Sequence, residues 1–288
     1  MTNTLFCFGL GFSALTLARR LREQGWRIIG TCRSAEKKAA LEARGLTMHL
    51  MNDDTAPTAH ALASVTHVLA SIPPDDDGDP VARRCGDMLA HLPTPEWVGY
   101  LSTTGVYGDK QGGWVDEDTP VDANTPRGAR RVMAESQWQD LHARAGLPVH
   151  IFRLAGIYGP GRNQLESVRA GTARRIVKPG QVFSRIHVED IARVLIASMA
   201  RPNPGSVYNV CDNEAAPPDV VVAHAAELLA MKPPPEIPFE DADLSPMARS
   251  FYADNKRVRN DRIKTELGVQ LAYPTYREGL AALLSAAT

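Results

Sequence analysis

The chain has 288 residues, of which 44% are hydrophobic and 23% are charged, and its 32 basic and 33 acidic residues leave a formal net charge of −1. This composition is typical of a folded globular protein and excludes an intrinsically disordered chain. The balanced charge argues against a broad nucleic-acid-binding surface. At about 150 residues per domain, the length predicts two folded units, or one domain with an added lobe.

The N-terminus carries no positive charge before its apolar stretch, and no apolar run approaches the roughly 20 residues of a membrane helix. We therefore expect no signal peptide, no membrane partner and a cytoplasmic location. The cysteines, Cys7, Cys32, Cys85 and Cys211, are far apart and show no paired spacing. This pattern predicts reduced, mostly buried thiols and no metal site.

Short apolar runs alternate with helical patterns through the first two thirds of the chain. Strands are predicted at residues 5–9, 27–32, 46–51, 65–72, 97–102 and 149–154. Helices are predicted at residues 13–25, 35–44, from 79–80 onward, and at 127–145. The alternation indicates βαβ units and therefore an α/β fold with a doubly wound parallel sheet. In such a sheet, ligands bind at the carboxyl ends of the strands.

After residue 160 the pattern changes. A helix is predicted at 188–200, a strand that continues the sheet at 207–210, and further helices at 218–231, 254–267 and 274–286. We therefore assign residues 1–160 to the sheet domain, completed by residues 186–213. Residues 161–185 and 214–288 are assigned to a small, mostly helical C-terminal lobe.

Residues 9–14 (GLGFSA) follow an apolar run and open a helical pattern. This is the context of a dinucleotide-binding fingerprint, in which Gly9 makes the tight turn and Gly11 lets the backbone approach a pyrophosphate. The phosphates would lie on the amides at the helix N-terminus, where Phe12 and Ser13 stand. An ordinary strand–turn–helix is the alternative interpretation.

The end of the second predicted strand distinguishes NAD from NADP. An NAD site has an acid about 20 residues after the glycines, whereas this stretch has Arg33 and no acid before Glu36. Arg33 would bind the 2′-phosphate of NADP, with Thr31 and Ser34 as hydroxyl donors. The sequence thus predicts NADP, with NAD as the alternative, and a solvated arginine is the competing interpretation. Asp53, after the third strand, is predicted to meet the adenine amino group or to cap a helix.

Four further motifs follow in order along the chain: 102–108 (STTGVYG), 114–117 (WVDE), 153–161 (RLAGIYGPG) and 186–191 (IHVEDI). Together they resemble the extended short-chain dehydrogenase/reductase family, in its sugar-nucleotide epimerase/dehydratase branch. The chain is also similar to an atypical bacterial subgroup of this family, at residues 71–74 (SIPP), 255–258 (NKRV), 267–268 (LG) and 273–280 (YPTYREGL). The resemblance implies a Rossmann fold with a bound dinucleotide, which Ser71, Ile72 and Pro73 would contact.

In this family, catalysis rests on a Ser/Thr and on a Tyr-x-x-x-Lys motif of the long helix. The resemblance places Thr103 at the Ser/Thr position, where the side chain holds the substrate oxygen. Aligning Ala134 and Glu135 with the family's Ala-Glu pair places Arg127 at the tyrosine and Arg131 at the lysine. The family's tyrosine is the acid–base, and its lysine binds the nicotinamide ribose, a role that the resemblance implies for Arg131.

Two arginines at these positions change the expected chemistry. The pKa of an arginine lies above 12, so its side chain does not shuttle protons near pH 7. Arg127 is expected to stabilise an oxyanion or to clamp an acidic substrate, but it does not replace a phenol as general acid–base. A solvated helix face, with Arg130 alongside, is the alternative. Tyr107 and Tyr158 stand in motifs where the tyrosine is usually structural, and Tyr158 is retained as a candidate proton donor.

Two further positions bear on the substrate. Gly156 stands where sugar-nucleotide enzymes of the family often carry an asparagine that meets the diphosphate, which argues against a nucleotide sugar. His187 either titrates near neutrality or is a helix-start residue bonded to backbone.

The sequence favours an NADP(H)-binding oxidoreductase, or an epimerase/dehydratase-type enzyme, that acts on a small polar substrate. The alternatives are a non-catalytic NADP(H)-binding redox sensor and a nucleotide-sugar epimerase. The oligomeric state stays open, with a homodimer as one outcome.

Overall fold

The structure, a computed structural model, describes residues 3–93 and 95–286. The strands in these ranges are β1 (Thr4–Phe8), β2 (Arg27–Cys32), β3 (Thr47–Leu50), β4 (His67–Ala70), β5 (Trp97–Thr103), β6 (Trp114–Val115), β7 (Val149–Leu154), β8 (Gly156–Tyr158), β9 (Arg175–Val177), β10 (Arg185–His187), β11 (Val207–Val210), β12 (Glu236–Pro238) and β13 (Arg257–Val258). The helices are α1 (Phe12–Glu23), α2 (Ala35–Glu42), α3 (Ala59–Leu62), α4 (Pro80–Ala90), α5 (Pro126–Ala145), α6 (Gln164–Arg169), α7 (Val188–Ala200), α8 (Pro218–Leu228), α9 (Pro246–Phe251), α10 (Asp261–Thr265) and α11 (Tyr276–Ser285). No helix in the described part of the chain is long and apolar enough to cross a membrane.

Seven strands form the central sheet, in the order β11-β7-β5-β4-β1-β2-β3. The five strands from β3 to β5 in this order pair in parallel. From β1 the chain moves outward through β2 and β3 in one direction and through β4 and β5 in the other. The strand order therefore reverses between β1 and β4, which is where doubly wound sheets bind their ligands. The predicted α/β fold with a doubly wound sheet is confirmed.

Helices cover the sheet because its central strands are mostly apolar. Every residue of β1 and β4 is buried, as expected for parallel strands with helices on both faces. Trp138 of α5 stacks on Tyr100 of β5, with 6.0 Å between the ring centroids. The helix α4 begins as the sequence predicts, because Asp79 accepts hydrogen bonds from Val81 and Ala82 and Pro80 opens the first turn.

The chain divides into two compact units. The first unit comprises Met1–Thr103, Ala129–Arg153 and Ile191–Tyr208, and the second comprises Thr104–Gly128, Leu154–Asp190 and Asn209–Thr288. The predicted domain boundary at residue 160 differs from this division. The chain leaves the sheet after β5 and again after β7, so residues 104–128 and 155–160 belong to the second unit rather than to the sheet.

The second unit contains more extended structure than the predicted helical lobe. Three two-stranded sheets join β8 with β10, β9 with β12, and β6 with β13. The helix predicted at 254–267 is wrong in its first half, where Asn255 O accepts hydrogen bonds from the amides of Lys110 and Gly112 and the Arg257 amide donates to Gly113 O. This pairing with a distant segment overrides the local helical pattern, and only α10 remains of the predicted helix.

Candidate functional site

The predicted glycine turn connects β1 to α1 at the point where the strand order reverses. Gly9 has a φ of +85°, a conformation that favours glycine. Its N–H donates to Thr31 Oγ1 (2.8 Å), and its carbonyl accepts from Ser71 Oγ (2.5 Å). A Cβ at Gly9 would lie 2.9 Å from Ile72 Cγ1. Side chains that follow β4 therefore fix this turn, while the next residue, Pro73, is exposed.

Gly11 has a different environment. It precedes the first turn of α1, in extended backbone, and its carbonyl accepts from the Leu15 N–H (2.8 Å). A Cβ at Gly11 would meet nothing within 4 Å. Phe12 and Ser13 form the first turn, where an α-helix leaves its amides without intrahelical partners. The open space beside Gly11 is the cradle that a pyrophosphate requires, and a larger side chain would fill it.

The residues that follow β2 differ from the expected set. Arg33 is exposed, and its side chain makes no hydrogen bond or ion pair with the residues described. Thr31 is only 1% exposed and is engaged with Gly9, so its predicted contact with a phosphate is wrong. Ser34 caps α2 by accepting from the Lys37 N–H (3.2 Å). Arg33 is thus the cation available at the carboxyl end of β2.

Asp53 stands in an exposed turn after β3. Asn52, not Asp53, organises this turn, because Asn52 Oδ1 accepts from the amides of Asp54 and Thr55. The next helix, α3, begins at Ala59, so Asp53 does not cap it. The predicted contact of Asp53 with adenine stays a prediction.

Arg131 reaches from α5 to the carboxyl end of β5. Its Nη1 donates to Leu101 O (2.6 Å) and to the Tyr100 hydroxyl (3.1 Å). Because the side chain is half-buried and bonded in this way, Arg131 is not part of a solvated helix face. The guanidinium keeps further N–H donors beyond these two bonds.

A buried ion pair fixes α5 against β5 and β7. Glu135 accepts from Arg153 Nη2 (2.7 Å) and from Ser102 Oγ (2.5 Å), and all three side chains are buried. Ser102 directly precedes Thr103, the last residue of β5. Glu135 therefore fixes the strand end that carries Thr103 relative to the helix that carries Arg131.

The acidic loop between β4 and α4 is also attached to α5. Arg130 Nη2 lies 2.5 Å from Asp76 Oδ1. Gln137 donates from Nε2 to Asp77 O (2.8 Å) and accepts from the Asp79 N–H (2.7 Å). Arg130 is thus a partner of this loop, in an ion pair that stays exposed to solvent.

Two of the predicted catalytic residues, Arg127 and Tyr158, belong to the second unit. Arg127 is exposed, and its guanidinium carbon lies 4.1 Å from the ring centroid of Phe251. A planar guanidinium on an aromatic face is a typical cation–π arrangement. This geometry supplies a positive charge at position 127 but no group that exchanges protons near neutral pH.

Tyr158 is 8% exposed, and its hydroxyl lies 3.5 Å from Thr275 O. A Cβ at Gly279 would clash with this hydroxyl, so the ring lies against α11. Burial raises the pKa of the Tyr158 phenol, and the Asp212 and Asp190 carboxylates raise it further. A phenol in this environment is a poorer acid than usual, which weakens but does not decide its predicted role as proton donor.

The sequence patterns did not indicate two further titratable groups, Asp212, which is buried, and Arg185, which is half-buried. Burial raises the pKa of Asp212 to about 8, although the Glu214 N–H (3.1 Å) and the positive charge of Arg185 both lower it. Arg185 Nη1 donates to Phe183 O (2.7 Å) and Ala216 O (3.0 Å). The Asp212 carboxyl is therefore protonated at neutral pH in the folded protein.

The raised pKa makes the stability of the protein depend on pH in a defined window. Between the ordinary pKa of 3.8 and about 8, the folded state holds a proton on Asp212 that the unfolded state has lost. Relative to Asp212→Asn, we expect the free energy of unfolding of wild type to fall by about 1.7 kcal/mol between pH 6.5 and 8. In Asp212→Asn the fall should be absent.

Other buried groups titrate near this window, so the effect of Asp212 is read from the difference between wild type and Asp212→Asn. Burial lowers the pKa of three histidines, His67, His150 and His187, to about 4. Their protonation in the unfolded state, near the ordinary pKa of 6.5, therefore raises stability with pH just above 6.5 and opposes the Asp212 effect. This contribution is common to wild type and Asp212→Asn and cancels in the comparison of the two proteins. Burial raises the pKa of Asp79 to about 6, below the window. Urea unfolding at pH 6.5 and 8 measures the effect, and equal slopes in wild type and Asp212→Asn would contradict the assignment.

Two residues of the family motifs have structural roles. His187 Nδ1 accepts from the Glu189 N–H (3.2 Å) at the start of α7, which matches the helix-start alternative. Burial lowers the pKa of His187 to about 4, so it is neutral at pH 7. The Tyr107 hydroxyl is buried and donates to Asn209 Oδ1 (2.8 Å).

Comparisons with known proteins agree with this architecture. A model of the NAD dependent epimerase/dehydratase family matches residues 88–211. A functionally unknown conserved protein from Silicibacter pomeroyi DSS is 57% identical, with 99% of each chain covered and a TM-score of 0.91. The UDP-glucuronic acid 4-epimerase of Bacillus cereus, solved in complex with NAD, is 16% identical, with 98% of this chain and 96% of the other covered. Its TM-score of 0.78 shows a common fold.

A third protein resembles part of the chain. The 3-diazoavenalumate denitrifying reductase of a Streptomyces species is 30% identical over 181 residues, which is 58% of either protein. The part of the chain that matches the family model includes the four motifs at residues 102–108, 114–117, 153–161 and 186–191. The chain belongs to the NAD-dependent epimerase/dehydratase family, as an atypical extended short-chain dehydrogenase/reductase with Arg127 and Arg131 on its long helix.

Proposed function

We propose that this protein is an NADP(H)-dependent oxidoreductase that reduces a small polar substrate without a tyrosine proton donor. The observation that carries the proposal is Arg131, whose guanidinium is held at the carboxyl end of β5 by Leu101 O and the Tyr100 hydroxyl. This arginine keeps the positive charge and the donors of the family's lysine. Its partner position, 127, carries a group that does not exchange protons near pH 7.

The first unit offers a fitting set of residues for the dinucleotide. The space beside Gly11 would take the pyrophosphate, and the first turn of α1 would donate backbone N–H groups to it. Arg33 would bind the 2′-phosphate, and Asp53 the adenine amino group. The backbone after β4, from Ser71 to Pro73, would border the cofactor, while the Ser71 side chain holds the glycine turn.

We assign substrate orientation, ribose binding and binding of substrate charge to three residues of the chain. When bound, NADPH supplies a hydride. Thr103 would donate a hydrogen bond to the substrate and orient it, and Arg131 would bind the ribose hydroxyls. Arg127 would hold a negative charge on the substrate. A substrate that accepts hydride without needing a proton from the enzyme can be reduced although position 127 has no tyrosine.

The partial relative favours a specific class of acceptor as a second candidate. Its name describes a reductase that denitrifies a diazo compound. Reduction of an aryl diazonium group by hydride releases nitrogen and needs no protonation of an oxygen, so it does not require the tyrosine that position 127 lacks. A nucleotide-sugar epimerase has less support, because Gly156 offers no side chain to a diphosphate and Ser184 O lies 3.3 Å from the place of a Cβ.

Arg33 is expected to make the protein bind NADPH more tightly than NADH. Removing its charged hydrogen bond in Arg33→Ala should cost about 1.5–3 kcal/mol of NADPH binding, roughly a 10- to 150-fold loss of affinity, while NADH affinity stays unchanged. Titration calorimetry of both cofactors measures the ratio. Arg201→Ala, which removes an exposed arginine just after α7, is the matched control. Equal affinity for both cofactors in wild type would contradict NADP specificity.

Turnover distinguishes the enzyme from a redox sensor. NADPH oxidation is followed by absorbance with aldehydes, ketones and aryl diazonium salts, and the rate without protein is subtracted. We expect saturable oxidation with at least one class, and a diazonium preference would support the second candidate. Tight NADPH binding without oxidation by any class would favour a sensor instead.

A further inference from the structure

The second unit contains a cleft of about 450 Å³ that the proposed cofactor site does not use. It is lined by Asn213, Lys264, residues 268–271 and Pro274. The lining combines polar side chains with the apolar side chains of Val269, Leu271 and Pro274. The cleft is therefore suited to a small molecule with one charged end and an apolar body.

Backbone hydrogen bonds fix the walls of this cleft. Gly268 has a φ of +67°, and the following Val269 N–H donates to Ile263 O (3.1 Å), which ends α10 and turns the chain. The Asn213 N–H donates to Pro274 O (2.8 Å) and joins the segment after β11 to the segment before α11. The cleft is thus part of the folded framework of the unit.

A buried side chain orients the polar end. Asn260, 5% exposed, donates from Nδ2 to Cys211 O (2.8 Å) and to Asn213 Oδ1 (3.0 Å). Lys264 Nζ donates to the same Oδ1 (2.8 Å). Because Oδ1 of Asn213 already accepts two bonds, its amide NH₂ is the group left to donate, and it has no acceptor in the ranges that the structure describes.

The positive charge of Lys264 is not compensated by a carboxylate. Within the described part of the chain, Lys264 has Asn213 as its polar partner and forms no ion pair. The neighbouring Glu214 is paired with Arg277 at 3.3 Å. Asp261, on the same helix as Lys264, is paired with an arginine at 3.8 Å. The cleft thus presents an ammonium and an amide that donate hydrogen bonds without a competing anion.

We propose that this cleft binds a small organic carboxylate, separate from the cofactor and from the hydride-transfer chemistry. Lys264 and the Asn213 amide would bind the carboxylate, since charged donors make the strongest hydrogen bonds to such groups. Val269, Leu271 and Pro274 would contact the apolar body, which favours an organic anion over inorganic phosphate.

The test uses benzoate as the probe and ligand-observed NMR titration of the full chain. We expect saturable binding in the millimolar range that is unaffected by saturating NADP⁺ and stronger than that of uncharged benzamide. In Lys264→Met, which keeps the apolar stem of the side chain, the affinity should fall about tenfold or more. Lys232→Met removes an exposed lysine outside the cleft and should bind as wild type does.

Three results would overturn the proposal. The first is the absence of saturable benzoate binding to wild type up to about 20 mM, a concentration well above the millimolar affinity that the proposal expects. The second is equal binding by wild type and Lys264→Met in proteins with the same thermal unfolding profile. The third is displacement of benzoate by NADP⁺, which would place the probe in the cofactor site, or by equimolar phosphate, which would indicate a general anion site.

Discussion

Replacing Gly11 by valine is expected to lower NADPH affinity by at least about 100-fold, or about 2.7 kcal/mol, with little change in thermal unfolding. In the free protein a Cβ at this position meets nothing within 4 Å, and the extended backbone accepts any residue. The isopropyl group would instead occupy the space that the pyrophosphate needs. Titration calorimetry and thermal unfolding together measure both effects.

Gly9→Val is the matched contrast, because the same substitution there meets protein atoms. Its φ of +85° and the 2.9 Å approach to Ile72 Cγ1 predict a loss of folding stability as well as of binding. Comparing the two variants thus distinguishes a loss of the pyrophosphate-binding space from a loss of folding stability. Wild-type NADPH affinity in Gly11→Val would mean that the dinucleotide does not bind at the glycine turn.

Glu135→Ala is expected to destabilise the protein by about 3–5 kcal/mol. The substitution leaves the buried Arg153 guanidinium without its carboxylate and the Ser102 hydroxyl without its acceptor. An unpaired buried charge costs more than the ion pair contributes, because no water replaces the lost partner. Urea unfolding measures the change in the free energy of unfolding.

Two comparisons make this prediction specific. Glu135→Gln keeps acceptor capacity for Ser102 but lacks the negative charge, so its loss should lie between those of wild type and Glu135→Ala. Glu42→Ala, which removes the partner of an exposed ion pair with Lys38, should change stability by less than about 1 kcal/mol. A loss in Glu135→Ala as small as that in Glu42→Ala would show that the pair does not hold α5 to the sheet.

The central sheet and the glycine turn could be predicted from the sequence because their signals are local. Apolar runs, glycine after β1 and the Asp79–Pro80 helix start each reflect a short-range requirement that the structure retains. The motif match likewise located the Ala-Glu pair of α5. The role of Glu135 as the partner of Arg153 became visible only when β5, β7 and α5 were placed together.

Other features depend on contacts between residues that are distant in the sequence, so the local sequence pattern did not predict them. The extended segment at Asn255 follows from backbone bonds to Lys110 and Gly112, more than 140 residues earlier, which no helical periodicity reports. Thr31 resembles a phosphate donor in sequence, yet it is buried beneath the glycine turn. The raised pKa of Asp212 likewise arises from burial, which its sequence neighbours do not indicate.

Because position 127 carries an arginine where the family has a tyrosine, the proton donor of the family's reaction is missing. Arg127 stacks on Phe251, and Tyr158 lies buried against α11 with a raised pKa. Neither arrangement favours proton donation at neutral pH. If the protein is an enzyme, the hydride step must therefore proceed with a substrate that is polarised by donors such as Thr103.

Transfer of label from NADPH deuterated at C4 tests this claim most directly. With a substrate found by the absorbance screen, mass spectrometry follows deuterium into the product for wild type and Thr103→Ala. We expect deuterium in the product, with the rate lowered about 10²–10³-fold in Thr103→Ala while NADPH affinity is kept. Unlabelled product, NADPH binding without any oxidation, or a rate that Thr103→Ala leaves unchanged would contradict the account.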